Sequence, residues 1–116
     1  SEFFKKRTKF IEKKTIDCQS LDEFISINRI QQIDILNIDT NGSEISILEG
    51  AKNSLSMGKF RNIEISILSP NIYNVDKNHI PKLLNLLMCH DMVLSRIFFE
   101  PVDFEITKYT FLFSSK

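Results

Sequence analysis

The sequence predicts an α/β fold built on a mostly parallel sheet with helices on both faces and an antiparallel strand at its C-terminal end. Three observations predict it. Ile33 to Asp39 is apolar on both faces, as a strand of a parallel sheet covered by helices has to be. It runs through an acidic, glycine-containing turn into a segment of helical spacing, and a second run of the same kind, Ile63 to Leu68, follows at the distance of one βαβ crossover. Two later runs, Met92 to Phe98 and Tyr109 to Ser114, are joined by a hairpin-like connection, Glu100 to Glu105, that contains Pro101.

The elements follow in order. Residues 1–14 form a basic lead-in, with Lys5, Lys6, Arg7, Lys9, Lys13 and Lys14 against Glu2 and Glu12, and residues 15–116 form one domain. Phe10 to Asp17 reads as a short strand. Ser20-Leu21-Asp22-Glu23 is a capping-box signature that starts a short helix with Leu21, Phe24 and Ile25 on its apolar face. Asn41, with Glu44 three residues on, reads as a second capping box. It opens one helix whose Ile45, Leu48, Ala51 and Leu55 share a face and which ends at Met57-Gly58. Gly50 inside that helix implies close packing of helix on sheet. Ser69-Pro70 stops the second strand, and Asn78 caps a third helix, Ile80 to about Cys89, with Pro81 tolerated in the first turn.

Bulk properties narrow the function classes. A chain of 116 residues that is 42% hydrophobic suffices for one core. Fifteen basic side chains balance fifteen acidic ones, which excludes the strongly basic footprint of a nucleic-acid binder. No apolar run approaches the roughly 18 residues that span a membrane, and no signal peptide is seen. Cys18 and Cys89 have neither disulfide-framework nor metal-ligand spacing, and read as buried free thiols of a reducing, cytoplasmic compartment. The chain opens at Ser1 rather than Met, as an excerpt of a longer protein would. The late phenylalanines, Phe98, Phe99, Phe104, Phe111 and Phe113, imply core or interface.

The candidate chemistry sits at the end of the first long strand, because ligands of open α/β sheets bind outside the carboxyl ends of the strands. Asp39 there is placed to act as general base toward a hydroxyl or to hold a metal that does so; its bland alternative is a turn cap. Asn41 is a helix cap, Gly42 a residue needing positive φ or a tight entry, and Glu44 a carboxylate favoured by the helix macrodipole. Glu64 interrupts an apolar strand, and a buried carboxylate needs a partner, so it reads as a functional or network residue. His79 reads as a first-turn surface residue and His90 as a helix C-terminal one. No serine-hydrolase elbow, zinc-protease helix or phosphate loop is present.

Leu36 to Ala51 resembles the signature of FkbM-type methyltransferases, Leu-Lys-Ile-Asp-Val-Glu-Gly-Ala-Glu followed by Leu-x-Gly-Ala. Ser20-Leu21-Asp22-Glu23-Phe24 resembles that family's Leu-Asp-Asp-Phe segment, and Asn62-Ile63-Glu64-Ile65 its later Ile-Glu-Ile strand, in the same order. The resemblance covers the C-terminal half of the family domain. It implies part of a doubly wound, Rossmann-like methyltransferase sheet, S-adenosylmethionine as donor, and a small-molecule or sugar hydroxyl as acceptor. Asp39, Gly42 and Glu44 keep the family's residues, while Asn37 and Asn41 replace its Lys and Glu. The three glycines, Gly42, Gly50 and Gly58, form no Gly-x-Gly turn, so the donor-binding motif has no counterpart here.

Two readings follow. One is the acceptor and catalytic side of an S-adenosylmethionine-dependent O-methyltransferase, lacking the donor-binding first half and inactive alone, with Asp39 and Glu64 as site residues. The other is a non-catalytic association module derived from the same fold. In both, the Ile33 to Asp39 strand is an unprotected edge, and the isolated chain is expected to self-associate through it or to need a partner segment.

Overall fold

The computed structural model describes residues 15, 17–40, 42–69 and 78–116. The strand expected over Phe10 to Asp17 lies largely outside them, as does Asn41. Helix α1 spans Leu21–Ile27, β1 Leu36–Ile38, α2 Glu44–Glu49, α3 Lys52–Ser56, β2 Asn62–Ser69, α4 His79–Met88, β3 Met92–Pro101 and β4 Thr107–Ser115.

The sheet order is β1-β2-β4-β3. β1 and β2 pair in parallel, as a βαβ crossover requires. The β3–β4 hairpin folds back so that β4 enters the sheet between β2 and β3, antiparallel to both. Three strands therefore run one way and the C-terminal strand runs against them. One core joins Ile25 of α1, Leu48 of α2, Leu55 of α3, and Leu83 and Leu87 of α4 to Ile63, Ile65 and Ile67 of β2. Alternate residues of a strand point to opposite faces, so all four described helices serve the face bearing those isoleucines. The expected second helical layer is not found among the described residues. The other face carries Asn37, Glu64, Ser66, Thr110 and Leu112, with Ser66 Oγ and Thr110 Oγ1 3.3 Å apart.

Local chemistry explains each boundary. Ser20 Oγ accepts the Glu23 N–H at 3.1 Å, the first half of the expected capping box. Leu21 and Ile25 of α1 pack inward, whereas Phe24 is largely exposed. The strand expected from Ile33 contributes only three ladder residues. Ile33 bridges Phe60 in parallel, but the Asp34 carbonyl accepts from Asn62 Nδ2 at 3.0 Å and the strand resumes only at Leu36.

The helix expected to run unbroken to Leu55 is two helices. At the break the Gly50 carbonyl accepts the Asp22 N–H at 2.9 Å, and the Asp22 carboxylate accepts the N–H groups of Asn53 (3.0 Å) and Ser54 (2.9 Å). α3 is thus capped from another helix, its own N-cap residue Ala51 having no side-chain acceptor. Burial by itself would raise the Asp22 carboxyl, but the hydrogen bonds from the Ser54 hydroxyl and the Ser54 and Asn53 amides outweigh it and hold its pKa below the ordinary value. Gly50 makes its close approach to α1 rather than to the sheet: a Cβ there would stand 3.2 Å from Ser20 Cβ.

α4 begins one residue earlier than the sequence suggests. Asn78 occupies its N-cap position without a side-chain capping bond. Cys18 and Cys89 are exposed, not buried; Cys89 is the C-cap residue of α4, just past the helical face. Among the described residues no helix is long and apolar enough to cross a membrane.

Candidate functional site

The turn after β1 is built around a carboxylate. Glu44, the first residue of α2, is fully buried and in phase with Leu48 on the core face. Its Oε2 and Oε1 accept the Gly42 N–H at 2.9 and 3.2 Å, and His79 Nε2 lies 3.2 Å from Oε2. Opposite an ionised carboxylate, which only accepts, such a ring nitrogen is the donor. The macrodipole of α2 favours a negative charge at this end. The pair joins the first turns of α2 and α4, and through the Gly42 amide it ties the turn ahead of α2 to a buried group. Gly42 has φ of 127°, a region that side chains with a Cβ rarely enter.

These contacts revise the sequence reading. Ser43, not Asn41, is the N-cap residue of α2, and it makes no side-chain capping bond. Glu44 reaches back to Gly42, while the Asn41 part of the expected box lies outside the described residues. His79, expected on the surface, is buried. The signal lay in helical phase: Glu44 precedes Leu48 by four residues, and His79 precedes Leu83 by four and Leu87 by eight, all of them buried.

Asp39 directly follows β1 at the carboxyl end of the parallel pair and is exposed, its carboxylate without a hydrogen-bonding or ionic partner among the described residues. Glu64 is half-buried and stands beside Asn37 in the β1–β2 register, on the face turned away from the helices. Asp39 lies two residues further along, about 7 Å at the rise of a strand. The structure therefore brings Asn37, Asp39 and Glu64 to one corner of the sheet, and it gives Glu64 no cationic neighbour there among the described residues. No group of three His, Cys, Asp or Glu side chains among the described residues is placed to hold a metal ion.

A cavity of about 340 Å³, lined by Gln32, Ser56, His90, Asp91 and Lys116 among others, opens at the amino ends of β2 and β3, at the sheet end opposite Asp39. Ser56 Oγ and His90 Nδ1 are 3.5 Å apart there, the limit of a hydrogen bond, which gives no activated nucleophile.

Comparison with known proteins adds the family. The model of the methyltransferase FkbM domain matches residues 1–102 of this chain. Among solved structures, ALBA1 from Trypanosoma brucei is similar at 15% sequence identity and a TM-score of 0.45, over 71% of this chain and 68% of that one. No curated protein sequence matches.

Proposed function

The chain belongs to the FkbM methyltransferase domain family, and from that premise we propose that it forms the acceptor side of an S-adenosylmethionine-dependent O-methyltransferase, with Asp39 receiving the proton of the acceptor hydroxyl. The observation that carries this reading is an exposed carboxylate at the carboxyl end of a parallel strand pair, on a turn whose backbone is tied to a buried carboxylate. A hydroxyl oxygen that takes up a methyl group must shed its proton. A carboxylate within hydrogen-bond reach accepts it, and such assistance is worth roughly a hundredfold to ten-thousandfold in rate. Glu44 and His79 do not meet the acceptor; they fix where Asp39 stands. Glu64 and Asn37 border the same corner and would shape the space for a sugar or other small hydroxylic molecule.

S-adenosylmethionine, which the family implies, supplies an electrophilic methyl when bound. The described residues do not fit that group. No Gly-x-Gly turn occurs among the three glycines, and the Gly42 amide at the carboxyl edge is already committed to Glu44. No donor contact is therefore assigned to them.

A second reading, a non-catalytic association module, is favoured by Asn37 and Asn41, which remove two charges that the family signature carries beside the site. In that reading the outer edge of β1 would take up a second copy of the chain. The two readings separate in one assay: transfer of labelled methyl from S-adenosylmethionine to methyl glycosides and phenols by the protein in its full reading frame. The enzyme reading expects ether-linked label, with turnover reduced at least about a hundredfold in Asp39→Asn. Equal turnover in Asp39→Asn removes the role of Asp39, and no transfer to any hydroxyl supports the module.

A further inference from the structure

The sheet has two outer edges among the described strands, and they differ in length. β1 offers three ladder residues and β3 ten. The β3 edge also exposes three consecutive large apolar side chains: Ile97 is 52%, Phe98 49% and Phe99 74% accessible. Natural edge strands are usually blunted against this, because unpaired N–H and C=O groups beside apolar side chains invite another strand. Here the blunting devices stand only at the ends of the open stretch. A bulge interrupts the ladder between Leu94 and Arg96, and Pro101, which has no N–H, closes the other end.

The outward-facing backbone groups can be assigned. In an antiparallel ladder, alternate residues bond to the neighbouring strand and those between them point away. Val102 donates to the Ile106 carbonyl at 2.8 Å, in step with the Pro101–Thr107 and Glu100–Lys108 register. Counting back by two, Glu100, Phe98 and Arg96 bond to β4, while Ile97 and Phe99 present their N–H and C=O groups to solvent. Pro101 falls in the outward set, where its missing N–H costs the β4 ladder nothing.

We propose that this edge pairs with the same edge of a second copy, antiparallel and across a two-fold axis at Phe98. In that register Ile97 lies opposite Phe99 of the second copy, and each such pair exchanges two backbone hydrogen bonds. Phe98 meets Phe98 of the second copy on one face, and the two Ile97–Phe99 pairs form an apolar cluster on the other. Arg96 lies opposite Glu100 of the second copy, twice by symmetry. Charge selects this register. A shift of the axis by one residue keeps the outward groups in step but sets Arg96 or Glu100 opposite Phe98. The bulge and Pro101 confine the contact to Arg96–Glu100, and a two-fold contact uses the edge in both chains, so the assembly closes as a dimer instead of growing into a fibre.

The test is sedimentation of the 116-residue chain over a concentration series, with R96E and E100R as exposed, fold-neutral substitutions verified by circular dichroism. The wild-type chain is expected to dimerise. Either substitution sets two like-charge pairs opposite each other and weakens the dimer about tenfold or more. An equimolar mixture of R96E and E100R recovers the dimer, because each chain then supplies the charge the other lacks. A wild-type chain that stays monomeric overturns the proposal, as does a dimer indifferent to both substitutions. Loss of the dimer in Ile35→Lys but not in R96E overturns it too, and moves the contact to β1.

Discussion

The turn after β1 and the β3–β4 hairpin invert the usual distribution of side chains in opposite ways. At the turn, a carboxylate and an imidazole are buried. In the hairpin, phenylalanine and isoleucine are outside, while Thr110 of β4 faces Ser66 of the neighbouring β2. The turn tolerates buried polarity because both oxygens of the buried carboxylate have partners: Gly42 N–H and His79 Nε2 meet Glu44. The hairpin has no such internal compensation for Phe98 and Phe99. A buried polar pair fixes geometry within a chain, whereas an exposed apolar strand carries its unmet contacts to the surface.

Substitutions sharpen the contrast. The largest effect is expected within the aromatic set itself: Phe113→Ala, in the core, costs about 4 kcal/mol in urea unfolding, whereas Phe99→Ser shifts a dilute chain by no more than about 0.5 kcal/mol. Equal losses at the two positions would mean that Phe99 is packed in the monomer. Next comes Glu44→Ala, which strips the Gly42 amide and His79 of their acceptor and costs about 3 kcal/mol. A double-mutant cycle with His79→Ala should show strong coupling, and additivity would break the account of the pair. Gly42→Ala forces a Cβ into a positive-φ position and is expected to cost about 1–2 kcal/mol.

Smaller effects follow from the supporting contacts. Asp22→Asn weakens the shared cap of α3 and is expected to cost about 1 kcal/mol near neutral pH. Because the folded-state pKa of Asp22 is lowered, its contribution is complete above the unfolded carboxylate value of about 3.9 and is lost as pH falls through the folded value. The gap between wild type and Asp22→Asn should therefore close on acidification; a constant gap down to the lowest pH would contradict the assignment. Smallest is Asn37→Lys, which restores the family's cation beside Glu64 and should stabilise by about 0.5 kcal/mol.

What could be read in the sequence was what local pattern decides. The apolar runs that became β2, β3 and β4, and the cap of α1 by Ser20, follow from residues close in the chain. The break between α2 and α3 does not, because its cause is the Asp22 amide and carboxylate arriving from α1. The seat of β4 between β2 and β3 is equally non-local, since a hairpin strand can close on either side. Of the site, Asp39 and Gly42 were legible as the end of a strand and a turn. The burial of Glu44 and His79 was legible only through their phase with Leu48, Leu83 and Leu87, which residue type obscured. Glu64 read as buried by its isoleucine neighbours, but alternation turns it to the face the described helices leave open.

The claim on which the functional reading stands is that the Glu44–His79 pair holds the turn carrying Asp39 in one arrangement. Amide hydrogen exchange at Gly42, resolved by NMR in the wild type and in Glu44→Gln and Glu44→Ala, tests it most directly. The account predicts slow exchange at Gly42 in the wild type, partial protection in Glu44→Gln, and fast exchange in Glu44→Ala while the β2 and β4 amides stay protected. Fast exchange at Gly42 in the wild type, or protection indifferent to both substitutions, would contradict it.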